Sequence, residues 1–439
     1  MKPPQSPPVF EKLFKQFGSD FSKLLSVSHE PQYLHWDKLR HRRPPGDLSP
    51  EQWWFGIKIA RLQGYRQLPM RDKAGRPFVF SLPDCVLQKL HKIDSLSAGR
   101  VALGAPVATE EQRDRFIFNS LVEEAITSSQ REGASTTRQA ASDMIRYRRK
   151  PRDRSERMIL NNYKAMEAVR RIKNEPLEFK TLMELHRTLT EDTLNHPDAA
   201  GRIQRPGDHR VDVVDNVSHR ILHMPPPADS LKTRIEKMLA FSNGNGEASP
   251  FIHPIIRSIV LHFWLAYDHP FEDGNGRTAR ALFYWSMLRH GYWLFEFISI
   301  SRILKQAPSQ YGHAFLYTET DDNDLTYFVI QQLRVIKQAL DELQEYLSRK
   351  AGQLQRVEKM LRYTDLNHRE IALLSHAVRH PGHRYSIRSH QTSHRVVYAT
   401  ARADLLHLAD LELLQQRRIG QRRFEFIAPD DLEERMKVL

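Results

Sequence analysis

A mainly helical protein with one β-hairpin insert and a small α/β unit near its end is the architecture this sequence predicts. Three observations carry the prediction. Between about residues 109 and 350, successive segments place apolar residues at three-to-four spacing, the period of a one-sided helix. Inside that region DHRVDVVDNVSHRILHMPPP breaks the period, with β-branched runs on either side of Asp215-Asn216. After residue 365, helical pieces are followed by LLQQRRIGQRRFEFIAP, which reads as two short strands turning at Gly420.

Taken in order, the first region, residues 1–108, mixes the aromatic-rich helix EQWWFGIKIARLQ with a hairpin in RQLPMRDKAGRPFVFSL. Asp72-Lys73-Ala74-Gly75 supplies the turn residues of that hairpin. The core, 109–350, runs through EEQRDRFIFNSLVEEAITSSQ, RMILNNYKAMEAVRRIK, EFKTLMELHRTLTED, SLKTRIEKMLAFSN, PIIRSIVLHFWLAYD, GRTARALFYWSMLRHG and DLTYFVIQQLRVIKQALDELQEYLSRK. A charged helical connector ends near 360, and the tail occupies 365–439. No internal repeat is present.

Composition narrows the function classes. The chain has 439 residues, 40% hydrophobic and 27% charged, as expected of a globular protein with a sizeable core. A formal net charge of +13 points to anionic partners, such as nucleotides, nucleic acid or phosphorylated surfaces. Cys85 is the single cysteine, which excludes an intrachain disulfide and fits a reducing compartment. MKPPQSPPVFEKLFKQFG lacks the apolar core of a signal peptide. SIVLHFWLAYDHPF, interrupted by His262, Asp268 and His269, is too short to span a bilayer. The expected setting is the cytoplasm, with no membrane association.

The most informative stretch is HPFEDGNGRTAR, residues 269–280. A helix ends near Asp268, because Pro270 cannot continue it. Gly274-Asn275-Gly276 allows a sharp turn, and a new helix opens at about Gly276 with free amides and a positive dipole end. Arg277 and Arg280, at i and i+3, oppose that dipole and so answer to an outside anion. Asp273 is a hard oxygen ligand suited to Mg²⁺, and His269 is the group with an ordinary pKa near neutrality. Phe271 should anchor the loop in the core. Together these describe a nucleotidyl- or phosphoryl-transfer site. The alternative is a plain helix–loop–helix turn with solvated arginines. It explains each feature singly but not their joint occurrence. FSNGNGEASP at 241–250 repeats Gly-Asn-Gly without the surrounding charges, and it reads as a linker.

HPFEDGNGRTAR resembles the signature of the Fic family, HxFx(D/E)GNGRxxR, with every specified position filled. The resemblance runs over roughly residues 109–345. It implies a helical enzyme core that transfers AMP from ATP to a hydroxyl (Ser, Thr or Tyr) of a protein, itself included. It further implies that His269 is the base for that hydroxyl and that Asp273 holds Mg²⁺ on the phosphates. Gly274, Asn275 and Gly276 would cradle the phosphates, with Arg277 and Arg280 on the β/γ end and Thr278 and Ala279 completing the nucleotide-binding turn. Tyr311 occupies the place of a tyrosine that lines the nucleotide pocket in the family.

In the helix of 110–133, Phe118, Val122, Ala125, Ser129 and Glu132 follow a 4-3-4-3 spacing, so Glu132 extends an apolar or small face. Gly133 supplies a helix end. A carboxylate at a helix C-terminus needs a cationic partner; the alternative is a frayed, exposed glutamate. The Fic resemblance implies an inhibitory (S/T)xxxE(G/N) helix, matched by Ser128, Glu132 and Gly133, with Arg280 as the partner of Glu132. Arg131 departs from the family, where that position is commonly apolar.

The hairpin of 212–224 corresponds to the family's flap, which registers an extended target segment; a structural cover for the pocket fits the same residues. The tail resembles a winged helix-turn-helix. Arg402 on its second helix and Arg417, Arg418, Arg422 and Arg423 on its hairpin are placed for DNA phosphates, but such modules also serve in dimers and docking. His376, His380 and His383, with His390 and His394, have metal-like spacings, yet without cysteine they read as solvated or helix-facing. Three functions stay open at this level. They are a self-inhibited AMP-transferase, a hydrolase removing AMP with the same site, and a DNA-binding regulator whose core senses ATP.

Overall fold

The computed structural model describes residues 2–20, 22, 24, 32–97, 110–208, 210–214, 220–244, 251–361, 364–379, 382–419, 423–429 and 431–436. Among the described residues the chain is mostly helical, with three small antiparallel sheets. It divides into two compact units, one of residues 1–101 and 115–341, the other of 102–114 and 342–439. Among the described residues, no helix is long and apolar enough to cross a membrane.

The principal elements of the N-terminal part are α1 (Phe10–Phe17), α2 (Pro50–Gly64), β1 (Arg66–Arg71), β2 (Pro77–Phe80) and α3 (Asp84–Ser97). Helix α2 starts on a capping box, in which Ser49 and Gln52 exchange side-chain and backbone hydrogen bonds, with Pro50 in the first turn. The β1–β2 hairpin turns where the sequence expects. Asp72 Oδ1 accepts from the Ala74 and Arg76 amides at 2.9 and 2.8 Å, and Gly75 takes φ +82°.

Next come α4 (Glu110–Arg131), α5 (Arg138–Arg146), α6 (Arg154–Arg171), α7 (Phe179–Thr190), β3 (Val213–Val214), β4 (Ile221–His223), α8 (Leu231–Ser242), α9 (Pro254–Asp268), α10 (Asn275–Arg289), α11 (Ile300–Gln306), α12 (Pro308–Thr320) and α13 (Thr326–Leu361). Helices α9 and α10 form the centre. Ile255, Ile259, Phe263 and Trp264 of α9 and Leu282, Phe283 and Trp285 of α10 are all buried. A helix apolar on every side must be covered on every side, and α6, α7 and α8 pack around this pair.

Residues 1–101 belong to the same unit as this helical body, and a buried polar hub shows why. Lys58 Nζ lies 2.7 Å from Asp321, while Tyr33 and Tyr65 donate to Asp324 at 2.6 and 2.9 Å. Charges buried this deeply persist only with good partners, so removing one side would leave the other stranded.

The second unit contains α14 (His368–Arg379), β5 (Arg384–Tyr385), α15 (Ile387–His394), α16 (Tyr398–Asp410), β6 (Gln415–Ile419) and β7 (Arg423–Ile427), with strand order β5-β7-β6. Leu374, Leu405, Leu408, Leu413 and Phe426 form its core. Two of the histidines with metal-like spacing have hydrogen-bond partners in the protein: His390 Nε2 meets the buried Asp404 at 3.0 Å and His376 Nδ1 meets the Tyr385 hydroxyl at 2.7 Å. The expected turn at Gly420, Arg422 and His380 lie outside the described residues.

Candidate active site

The site is built on the turn between α9 and α10. Helix α9 ends on His269, whose backbone is left-handed at φ 44° and ψ 54°. Such a conformation costs a non-glycine residue on the order of 1–3 kcal/mol, so surrounding contacts must impose it. Burial, then the neighbouring His223 and Arg210, lower the imidazole pKa to about 4, against weaker upward pulls from Glu132 and Asp273. His269 is therefore neutral at pH 7 and able to accept a proton. Its Nδ1 is buried without a hydrogen-bond partner.

Beyond the histidine, Phe271 is fully buried, as the sequence expects, and stacks on His186 with ring centroids 3.7 Å apart. His186 was not singled out by sequence reasoning, although it sits on the apolar face of α7. Its Nδ1 accepts from the Gly201 amide at 3.0 Å, so Nε2 carries the proton donated to the Asp273 carbonyl at 2.9 Å. Burial lowers its pKa to about 4 and keeps it neutral. Asn275 folds its amide back on Phe271, donating to the carbonyl at 2.8 Å and accepting from the amide at 2.9 Å. The loop is thus held from both sides.

The two glycines serve different ends. Gly274 is left-handed at φ +84°, and a Cβ there would approach Thr190 Cγ2 to 2.7 Å. Gly276 is helical, since α10 opens one residue earlier than expected, at Asn275. A side chain is excluded at 276 because its Cβ would lie 2.5 Å from Glu132 Oε1. No side chain caps the start of α10, so its first turn presents backbone donors and the positive dipole end. The Thr278 hydroxyl donates to the Gly274 carbonyl at 2.9 Å and Ala279 is fully buried, so both side chains serve the turn itself.

The two arginines are in opposite states. Arg277 has a side chain 0% exposed; Nη1 donates to the Leu189 carbonyl at 2.8 Å, while Nε and Nη2 have no hydrogen-bond partner among the described residues. Nη2 is 3.6 Å from Asp273, a carboxylate whose side chain is 41% exposed. Arg280 is engaged through Nε and Nη2. Nε donates to Ser128 Oγ at 2.9 Å, and Nη2 to the Ser128 carbonyl at 3.1 Å and Glu132 Oε1 at 2.7 Å.

Glu132 therefore lies where the spacing of the 110–133 helix places it. Burial pulls its pKa up, but the charge and hydrogen bond of Arg280, with Arg277 and Arg131 behind, outweigh burial and hold it below the usual carboxylate range. Gly133 takes φ +97° and closes α4. Ala134 N bonds to the Ser129 carbonyl and Gly133 N to the Gln130 carbonyl, the paired bonds of a Schellman end. Arg131 donates to the Leu304 carbonyl at 2.9 Å, and its guanidinium lies 4.8 Å from the centre of the Tyr311 ring. The Tyr311 hydroxyl contacts the buried His262 Nε2 at 2.9 Å.

The hairpin β3–β4 stands beside this turn. Its turn residues 215–219 lie outside the described residues. His223 reaches the Tyr267 carbonyl at 2.7 Å and Glu319 at 2.8 Å, while Val214 and Ile221, paired across the strands, are exposed.

The Fic/DOC family model matches residues 176–287, which include this hairpin and the whole of the α9–α10 turn but not α4. Protein adenylyltransferase Fic of Nematostella vectensis is 34% identical over 121 residues, 27% of this chain and 25% of that protein. The chain thus spans about a quarter of the length of that curated relative. A Fic family protein from Desulfovibrio desulfuricans G20 superposes with a TM-score of 0.54 at 17% identity, over 80% of this chain and 97% of that one. Fic-1 from C. elegans gives a TM-score of 0.51 at 17% identity, over 77% and 87%. At such identities the two structures speak for the fold.

Proposed function

We propose that this chain, a member of the Fic/DOC family through residues 176–287, is a protein adenylyltransferase that transfers AMP from ATP to a protein hydroxyl. Arg277 carries the reading. A fully buried guanidinium with two nitrogens that make no hydrogen bond among the described residues, at a helix start without a side-chain cap and beside a neutral histidine, is matched by a polyphosphate. The target oxygen attacks the α-phosphorus, its proton passes to His269, and the bond from the α-phosphorus to the bridging oxygen breaks, releasing pyrophosphate. Amides of Gly274, Asn275 and Gly276 and the side chain of Arg277 hold the phosphates. Asp273 is suited to Mg²⁺, because that ion takes few carboxylates beside substrate phosphates, and Asp273 is open to solvent. The bound ion would supply charge neutralisation on the phosphates.

Glu132 is the brake. Its pairing with Arg280 occupies the cation that the γ-phosphate requires, and Ser128 and Gly133 shape the turn that presents it. Tyr311 borders the nucleotide, and the hairpin of 212–224 holds the target beside His269. Residues 1–108 are an N-terminal Fic-associated region, and 109–350 are the catalytic core. The tail, 365–439, is read as a winged helix whose exposed Arg402, Arg417 and Arg418 face DNA phosphates or a second copy of the chain. The proposed setting is the cytoplasm.

The test is incubation of native protein and Glu132→Gly with labelled ATP and a cell lysate. Labelled AMP on protein, stronger with the variant, is expected. Absence of label with both proteins sinks the transferase reading.

A further inference from the structure

The carbonyls at the end of α9 belong to the turn that carries His269, and each is engaged from one direction. Tyr267 O accepts from His223 Nε2 at 2.7 Å, Asp268 O from Arg210 Nη2 at 2.7 Å, and His269 O from Arg210 Nη1 at 3.0 Å. Pro270 O accepts from the Gln204 amide at 2.8 Å. Arg210 also donates through Nε to the Pro226 carbonyl at 3.0 Å and through Nη1 to Gln204 Oε1. Arg210 and Pro226 flank the β3–β4 hairpin on its two sides, and His223 is in its second strand.

We propose that Arg210 is a positioning residue for transfer, clamping the His269 turn and the base of the hairpin into one rigid piece so that a hydroxyl held on the hairpin is registered against the base. The inference rests on the transferase reading. Its physical basis is the helix end: the last carbonyls of a helix lack partners within it, and a cation there also meets the negative end of the dipole. His269 cannot hold a left-handed backbone cheaply, as a glycine does. One planar guanidinium supplies donors in two directions at fixed angles, one pair to the turn and one to the hairpin. A lysine ammonium cannot reproduce that fork. Arg210 has no recorded contact with Arg277, Arg280 or Asp273, so it should act on alignment of the base and target rather than on nucleotide binding.

The test uses the full chain carrying Glu132→Gly, with Arg210→Ala, Arg210→Lys and His269→Ala added singly. Self-labelling by labelled ATP gives the plateau rate, and calorimetry gives Mg·ATP affinity. Loss of alignment by an ångström costs on the order of 10²-fold in rate. Both Arg210 variants should fall by about that factor while affinity for Mg·ATP changes less than about twofold. The pH profile then separates charge from geometry. His269 is faced by burial, His223 and Arg210, which lower its pKa, and by Glu132 and Asp273, which raise it. Arg210→Ala should move the acidic limb to higher pH, whereas Arg210→Lys should leave the limb in place and still be slow.

If His269→Ala abolishes labelling and Arg210→Lys labels within about threefold of its parent, the clamp is wrong and the transferase reading stands. If labelling persists unchanged in His269→Ala, or the parent labels neither itself nor a cell lysate, the transferase reading fails instead. The clamp then still answers to hydrogen exchange. Amides of 268–274 in Arg210→Lys should exchange at least about tenfold faster at unchanged melting temperature, and unchanged exchange overturns it.

Discussion

Helices α4 and α9 both send their C-terminal turns into the site, and the two ends are made by opposite means. Helix α4 closes on itself: Gly133 turns left-handed and the Schellman bonds from Gly133 and Ala134 satisfy its last carbonyls. Its side chains then reach outward, Glu132 to Arg280 and Arg131 to the Leu304 carbonyl. Helix α9 closes on a histidine, and the carbonyls of Tyr267, Asp268 and His269 at its end are satisfied from outside by His223 and Arg210. A self-capped end keeps its shape after its outside contacts are lost, so it can leave and return. An externally clamped end keeps its shape only while the clamp holds. The first suits a reversible brake, and the second suits a base that must not move.

The largest effect should come from the clamped end. His269→Ala is expected to lower AMP transfer by about 10²–10⁴-fold, the range for a lost general base, with Mg·ATP binding intact in calorimetry. Transfer at the native rate would remove His269 from the chemistry.

At the self-capped end the sign reverses. Glu132→Gly deletes the contact proposed as the brake and should raise transfer about 5- to 150-fold, the span of typical coupling energies. Adding Arg280→Ala should cancel the gain, because the clamp for the γ-phosphate is then gone in either background. Labelled-AMP incorporation by all four proteins of this cycle measures the coupling. Equal rates for native and Glu132→Gly would refute the brake.

Gly133→Ala sharpens the contrast by spoiling only the cap. A left-handed alanine costs about 1–2 kcal/mol, which should loosen the last turn and raise transfer roughly fivefold. No rise, with the expected loss of melting temperature, would show that the cap does not carry the brake.

The smallest effect separates the two ends by acid. His186 and His269 both have pKa values lowered to about 4 by burial, so each binds a proton in the unfolded chain before it can in the folded one. Their contribution to stability is complete above pH ~6.5 and is lost as pH falls toward 4. Glu132 is held below the carboxylate range and keeps its charge through most of that window. Melting temperature should therefore fall by several degrees between pH 7 and pH 4, and at least as steeply in Glu132→Gln, because Glu132 pulls the His269 pKa upward. A flat profile would contradict the neutral histidines.

Much of the site was legible because its chemistry is local. HPFEDGNGRTAR carries a helix stop, a left-handed glycine and a helix start within one turn, and short-range sterics place them there whatever the surroundings. The 4-3-4-3 face of α4 likewise put Glu132 on the side that packs inward, with Val122, Ala125 and Ser129 buried along it. The resemblance to the Fic family then named the partner, and Glu132 meets Arg280 across 148 residues.

Periodicity and turn chemistry alone encode a set of elements: the helices, the three hairpins and the loop with its histidine, carboxylate and cations. Which of those groups are satisfied and which are left open follows from packing. Gly276 looks like a turn glycine in sequence, but it is helical, and it is small because Glu132 comes within 2.5 Å of where its Cβ would be. His186 and Arg210 read as an apolar-face histidine and a loop arginine, yet they hold backbone 87 and 59 residues away. Arg277 and Arg280 look alike three residues apart, yet packing leaves Nε and Nη2 of the first without a hydrogen bond among the described residues and gives the same two nitrogens of the second three. The physical reason is that dihedral preference and amphipathic period act within a few residues, whereas hydrogen-bond satisfaction in the interior is settled only when distant carbonyls and side chains have been packed together.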